Sequence, residues 1–210
     1  MHLRQTLGAA SAAAALTLSV AAQPAAADNV AVAVATGFAA ATGSPAGRAV
    51  TYVPTWVPVG SLVAVGESAD DTMSRFELSL RGVLPNHTYG AHVHRLPCGA
   101  NPDDSGPHYQ NQPDPVQPST DPAYANPRNE VWLDLTTDAR GDGKSTAQVP
   151  WRIRPGEANS LVIHEKATAT GPGQAGTAGA RLACVNVRFA PVSGAVTRPG
   201  PPAPLASLHD

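Results

Sequence analysis

Residues Ser74 to Arg81 read SRFELSLR, with Phe76, Leu78 and Leu80 alternating against Arg75, Glu77, Ser79 and Arg81. Successive side chains of an extended chain point to opposite faces, so this stretch is a strand with one face buried and one wet. Residues 29–35 (NVAVAVA) alternate in the same way, 49–53 and 61–65 are short β-rich runs, and further strands are expected at 87–95, 131–137, 146–153, 160–165 and 182–189. Between them stand turn signals such as Leu84-Pro85-Asn86, Gly141-Asp142-Gly143 and Pro155-Gly156. No amphipathic helical pattern follows the first residues. The chain is therefore expected to be all-β, a sandwich or flattened barrel of about eight antiparallel strands on one core. Residues 97–129 form a connection far longer than usual, rich in Pro, Asn, Asp and Gln, and such loops in compact domains tend to carry function.

Both ends depart from this pattern. Residues 1–27 place Arg4 before an apolar run and end on Ala25-Ala26-Ala27, the layout of a cleaved secretory signal. The run is shorter than the roughly 20 residues a membrane span needs. The expected mature protein is thus secreted, without a span once the signal is cleaved, with a β domain over 28–190. The Pro-rich, charge-poor 191–210 is expected to be a mobile tail. Removing Arg4 from the 14 basic residues leaves 13 against 16 acidic ones, a balance that gives no reason to expect nucleic acid as a partner. Cys98 and Cys184 make an even pair, read most simply as one disulfide in an oxidising compartment; two buried thiols or a metal-binding pair are the alternatives.

The histidines carry the chemistry. His92 and His94 flank Val93 in an apolar stretch, TYGAHVHRL, and on a strand both imidazoles fall on one face, close enough to share a copper or zinc ion. His164 ends the apolar run Ser160-Leu161-Val162-Ile163, and His108 lies in Gly106-Pro107-His108-Tyr109. Taken singly, each of these two is read more readily as a hydrogen-bonded structural histidine than as a ligand.

Four motifs in order change that reading: Gly90-Ala91-His92-Val93-His94, Gly106-Pro107-His108-Tyr109, Leu161-Val162-Ile163-His164-Glu165-Lys166-Ala167, and Gly176-Thr177-Ala178-Gly179-Ala180-Arg181-Leu182-Ala183-Cys184. Over residues 74–187 they resemble the copper/zinc superoxide dismutases. The resemblance implies a Greek-key sandwich, His92, His94 and His164 as copper ligands, and His108 as the histidine that bridges copper and zinc. It also implies Arg181 beside the open copper position and a Cys98–Cys184 disulfide. The chain departs from the family as well. No histidine lies between His108 and His164, so most of the zinc site is missing and zinc is not expected. Lys166-Ala167-Thr168-Ala169 stands where the family has an aspartate linking the two metal sites. The loop from His164 to Arg181 is shorter than usual, with no acid beyond Glu165 and no lysine beyond Lys166, so the copper should be more open. Cys98 also follows His94 more closely than in the animal enzymes, as in some bacterial members.

The expected function is copper-dependent dismutation of superoxide to oxygen and hydrogen peroxide outside the cytoplasm. The alternative is a copper-binding or copper-storage module with little dismutase activity, which would need the histidines but not Arg181. An adhesion sandwich would not need four flanked histidines. A zinc hydrolase would need a general base, and Glu165, next to His164, points to the opposite face.

Overall fold

Alternation is kept where it is clearest. In the computed structural model, which describes residues 30–41, 48–70 and 72–189, Ser74–Arg81 is a strand over its whole length. The strands are β1 (Val30–Gly37), β2 (Ala39–Ala40), β3 (Ala49–Thr51), β4 (Leu62–Ala69), β5 (Ser74–Arg81), β6 (Thr88–His94), β7 (Leu135–Thr136), β8 (Gly143–Val149), β9 (Ser160–His164) and β10 (Arg181–Asn186). Among the described residues the only helical turn is a short 3-10 turn at Pro102–Ser105. The leader and the tail expected from the sequence lie outside the described residues.

One sheet has the order β1-β4-β5-β8 and the other β2-β3-β10-β9-β6-β7. Every neighbouring pair is antiparallel except the two-residue β2, which runs parallel to β3. The sheets face each other across one apolar core. Phe76, Leu78 and Leu80 of β5 meet Tyr89, Ala91 and Val93 of β6 and Leu161 and Ile163 of β9. Each such Leu, Ile or Phe side chain contributes roughly 1.5–3 kcal/mol when fully buried.

Several boundaries differ from the expectation, β8 and β10 among them, and for two the physical reason is plain. β4 runs on to Ala69, four residues past the expected end, because β1 and β5 both pair along its full length and hold even Gly66 and Glu67 extended. The expected strand at 131–137 contracts to β7. Its earlier residues still follow β6, through the Trp132–His92 bridge and the Leu133 N to Ala91 O hydrogen bond of 2.7 Å, but without a continuous ladder.

A candidate metal centre of four histidines

β6 is buried on both faces after Thr88. Tyr89, Ala91 and Val93 enter the core, which turns Gly90, His92 and His94 to the outer face of their sheet. On β9 the core takes Leu161 and Ile163, so His164 shares that outer face, directly across from Gly90. His108 arrives from the long loop. Arg95 N donates to Pro107 O at 3.0 Å and Tyr109 N to Val93 O at 2.8 Å, which lays His108 antiparallel beside His94 while Tyr109 drops into the core.

The four imidazoles each offer a nitrogen, and these nitrogens all lie within 4.8 Å of one another. This is the set that spacing and resemblance pick out of the sequence. His87, outside every motif, is elsewhere: its Nε2 is 2.7 Å from Glu165 O and its ring packs against Trp56 and Tyr89.

The hydrogen bonds behind the rings decide which nitrogens face inward. His94 Nδ1 donates to Gly106 O at 2.9 Å, because a carbonyl only accepts, so a lone pair is left on Nε2. His108 Nδ1 donates to the Glu130 carboxylate at 2.8 Å, again leaving Nε2. His94 Nε2 and His164 Nε2 stand 3.4 Å apart. His92 Nε2 is 2.7 Å from Thr168 Oγ1, and its Nδ1 is buried with no hydrogen-bond partner. A buried nitrogen without a partner beside three others is costly unless a cation takes their lone pairs.

Burial holds the site neutral. It pushes the His92 and His94 pKa values well below the usual range, and the neighbouring histidines and Arg181 push the same way. His164 is lowered to about 3, first by burial and then by His108 and Arg181. Neutral imidazole is the form that ligates a metal, so at physiological pH these rings are ready to bind one. The four-imidazole set therefore fits a metal ion.

Arg181 is the Cα partner of His164 across the β9–β10 pairing, where a register shift between Arg181 and Ala183 marks a bulge. It lines a cleft of about 200 Å³ together with His108 and His164. Its Nη1 donates to Pro102 O at 3.1 Å and Ser105 Oγ at 2.8 Å, and Asp103 Oδ1 lies 3.8 Å from its Nε. Arg181 thus braces the 3-10 turn and also lines the cleft beside the histidine cluster.

Three further residues that hydrogen-bond behind the rings escape the sequence reading. Glu130, buried, accepts from His108 Nδ1, from Gln110 Nε2 at 2.8 Å and from Trp132 Nε1 at 2.7 Å. Asp134 and Thr168 stand behind His92. A lone Glu, Asp or Thr in a polar loop has no spacing signal; only the Glu130-x-Trp132-x-Asp134 pattern, which puts all three on one side of an extended segment, could have drawn notice. Cys98 and Cys184 are joined in a disulfide, and both are buried.

No family model and no curated protein matches the chain. Among solved structures, the copper/zinc superoxide dismutase from Brucella abortus matches with a TM-score of 0.50 at 21% identity, covering 77% of this chain and 99% of that one. A double mutant of a SOD-like protein from Bacillus subtilis matches with a TM-score of 0.45 at 18% identity, over 61% of this chain and 88% of that one, too slight a likeness to argue from.

Proposed function

We propose that this chain, which has the fold of the copper/zinc superoxide dismutases, is a copper-dependent superoxide dismutase that works without zinc. The observation that carries this reading is the convergence of four imidazoles, their nitrogens within 4.8 Å of one another, at a cleft also lined by Arg181. His92, His94, His108 and His164 would hold the copper, since imidazole suits both of its oxidation states. Bound there, copper supplies a one-electron couple by which two superoxide anions and two protons become oxygen and hydrogen peroxide.

The chain's own residues prepare that reaction. Arg181 keeps a fixed positive charge at the cleft mouth, attracting a small anion and turning it toward His164. Gly106 O and Glu130 hold the His94 and His108 rings so that their Nε2 atoms face the cluster. The Glu130 carboxylate already takes the outer nitrogen of His108, the atom a second metal would need, which supports a site without zinc. A copper-holding module would need the imidazoles alone, so Arg181 is what favours catalysis. The disulfide agrees with an oxidising compartment, and we assign the protein to secretion through its leader at 1–27, ahead of a dismutase domain at 28–190.

The test is metal content. Protein exposed to copper and zinc together and then dialysed should retain one copper and essentially no zinc per chain. His92→Ala or His164→Ala should lose the copper, whereas His87→Ala should keep it. Stoichiometric zinc, or equal loss in all three variants, would overturn the assignment.

A further inference from the structure

Thr168 Oγ1 lies 2.7 Å from His92 Nε2 on one side and 2.7 Å from Asp134 Oδ1 on the other. A hydroxyl has one proton to give, and an ionised carboxylate oxygen only accepts. The Thr168 proton therefore goes to Asp134, and the hydroxyl oxygen is left to accept from His92 Nε2–H. Asp134 is itself fixed at both oxygens: Oδ2 accepts from Thr168 N at 2.7 Å, and Oδ1 also accepts from Ala91 N at 3.3 Å. The direction of the chain of hydrogen bonds is thus set from its carboxylate end.

We propose that Thr168 is a positioning residue, whose hydroxyl, oriented by Asp134, holds His92 with its proton on Nε2 and so aims the Nδ1 lone pair at the other three imidazoles. The inference rests on reading the cluster as a metal centre. His92 needs such control because its Nδ1, like that of His164, has no hydrogen-bond partner and would otherwise be free to carry the proton, pointing it into the site.

The local architecture is built for this contact. Thr168 belongs to the loop after β9, whereas His92 is on β6 and Asp134 on the segment beside it. Gly90 lets the loop close: a Cβ there would lie 2.6 Å from Lys166 O, 2.7 Å from Ala178 Cβ and 3.1 Å from Thr168 Oγ1. A side chain at that position would push the loop outward and take Thr168 with it. The loop carries no aspartate of its own behind the ligand histidine, and it borrows a carboxylate from Asp134 through a hydroxyl.

Thr168→Val keeps the shape and removes the hydroxyl. Copper(II) affinity, measured by competition against a chelator, should fall about 10- to 100-fold, the usual cost of losing a partner behind a metal-ligating histidine. The electron paramagnetic resonance spectrum of bound copper(II) should change with it, and Thr168→Ser should restore both. Asp134→Asn gives the independent variant should the valine form fail to fold: an amide can donate to Thr168 and free its proton to face His92, so the same loss is expected. Wild-type affinity and spectrum in these variants, with copper still lost in His92→Ala, would overturn the role of Thr168 alone. A loss in Thr168→Val that serine does not restore would assign the effect to packing and overturn it too. Unchanged copper binding in His92→Ala would overturn this inference together with the metal centre on which it rests.

Discussion

Arg181 divides its guanidinium between a structural contact and a charged neighbour. Its Nη1 is committed to Pro102 O and Ser105 Oγ, which fixes the side chain, while the exposed Asp103 sits 3.8 Å from Nε and offsets part of its charge toward the cleft. Burial pulls the Arg181 pKa down from its usual value, yet a guanidinium stays charged at any physiological pH. Steering by such a charge changes encounter rates by roughly 10- to 1,000-fold. Arg181→Ala should therefore keep its copper while the second-order rate with superoxide falls about tenfold or more. Arg181→Lys should retain part of the rate, since the charge stays and the planar fork is lost. Asp103→Asn should raise the rate, and at 0.1 M salt, where charges are screened over about 10 Å, most of that gain should vanish. Stopped-flow decay of superoxide reads all three. A rate and salt response in Arg181→Ala equal to the wild type would remove the residue from the reaction.

Among the contacts that tie the segment from Cys98 to Gly106 to β10 are the Arg181 hydrogen bonds at the 3-10 turn and the disulfide to Cys184. The bond closes a separation of 86 residues, worth about 4.5 kcal/mol in the chain-entropy account. Cys98→Ser and Cys184→Ser should lower the free energy of unfolding by similar amounts, and copper-loaded activity should drop before global unfolding as the turn loosens from Arg181. Denaturant curves that show a loss in only one variant would contradict the cross-link. What was legible beforehand follows from the same geometry. β5 could be read directly because one face is core and the other solvent. β6 could not be read as an alternating strand, since loops bury its outer face too, yet the His-x-His spacing still put both rings on one side. Thr168, Asp134 and Glu130 were not legible, because their roles depend on two loops meeting over β6, a tertiary event with no local period. The resemblance drew attention to a missing carboxylate after His164; the structure supplies one from Asp134, by way of Thr168.

Three buried neutral histidines tie the stability of the whole metal-free molecule to pH. Their folded pKa values lie below the ordinary 6.5, so between 6.5 and the folded value the unfolded chain binds more protons than the native one. Stability contributed by these rings is present above pH 6.5 and is lost as pH falls toward the folded value. For His164, lowered to about 3, the loss by pH 5 is about 2 kcal/mol, with His92 and His94 adding to it. Urea unfolding of the metal-free protein should show this drop between pH 7 and pH 5, and equal stability at both would mean the rings are already charged in the fold. Copper binding adds its own stability through mass action, so the loaded protein should melt higher at neutral pH. The most direct test is to follow superoxide decay as copper is titrated into metal-free protein, with and without zinc present. The rate constant should rise in proportion to copper, break at one equivalent per chain and be the same with or without zinc. No catalysis at one equivalent of copper, or catalysis that appears only when zinc is added, would contradict a dismutase built on four histidines and a single metal.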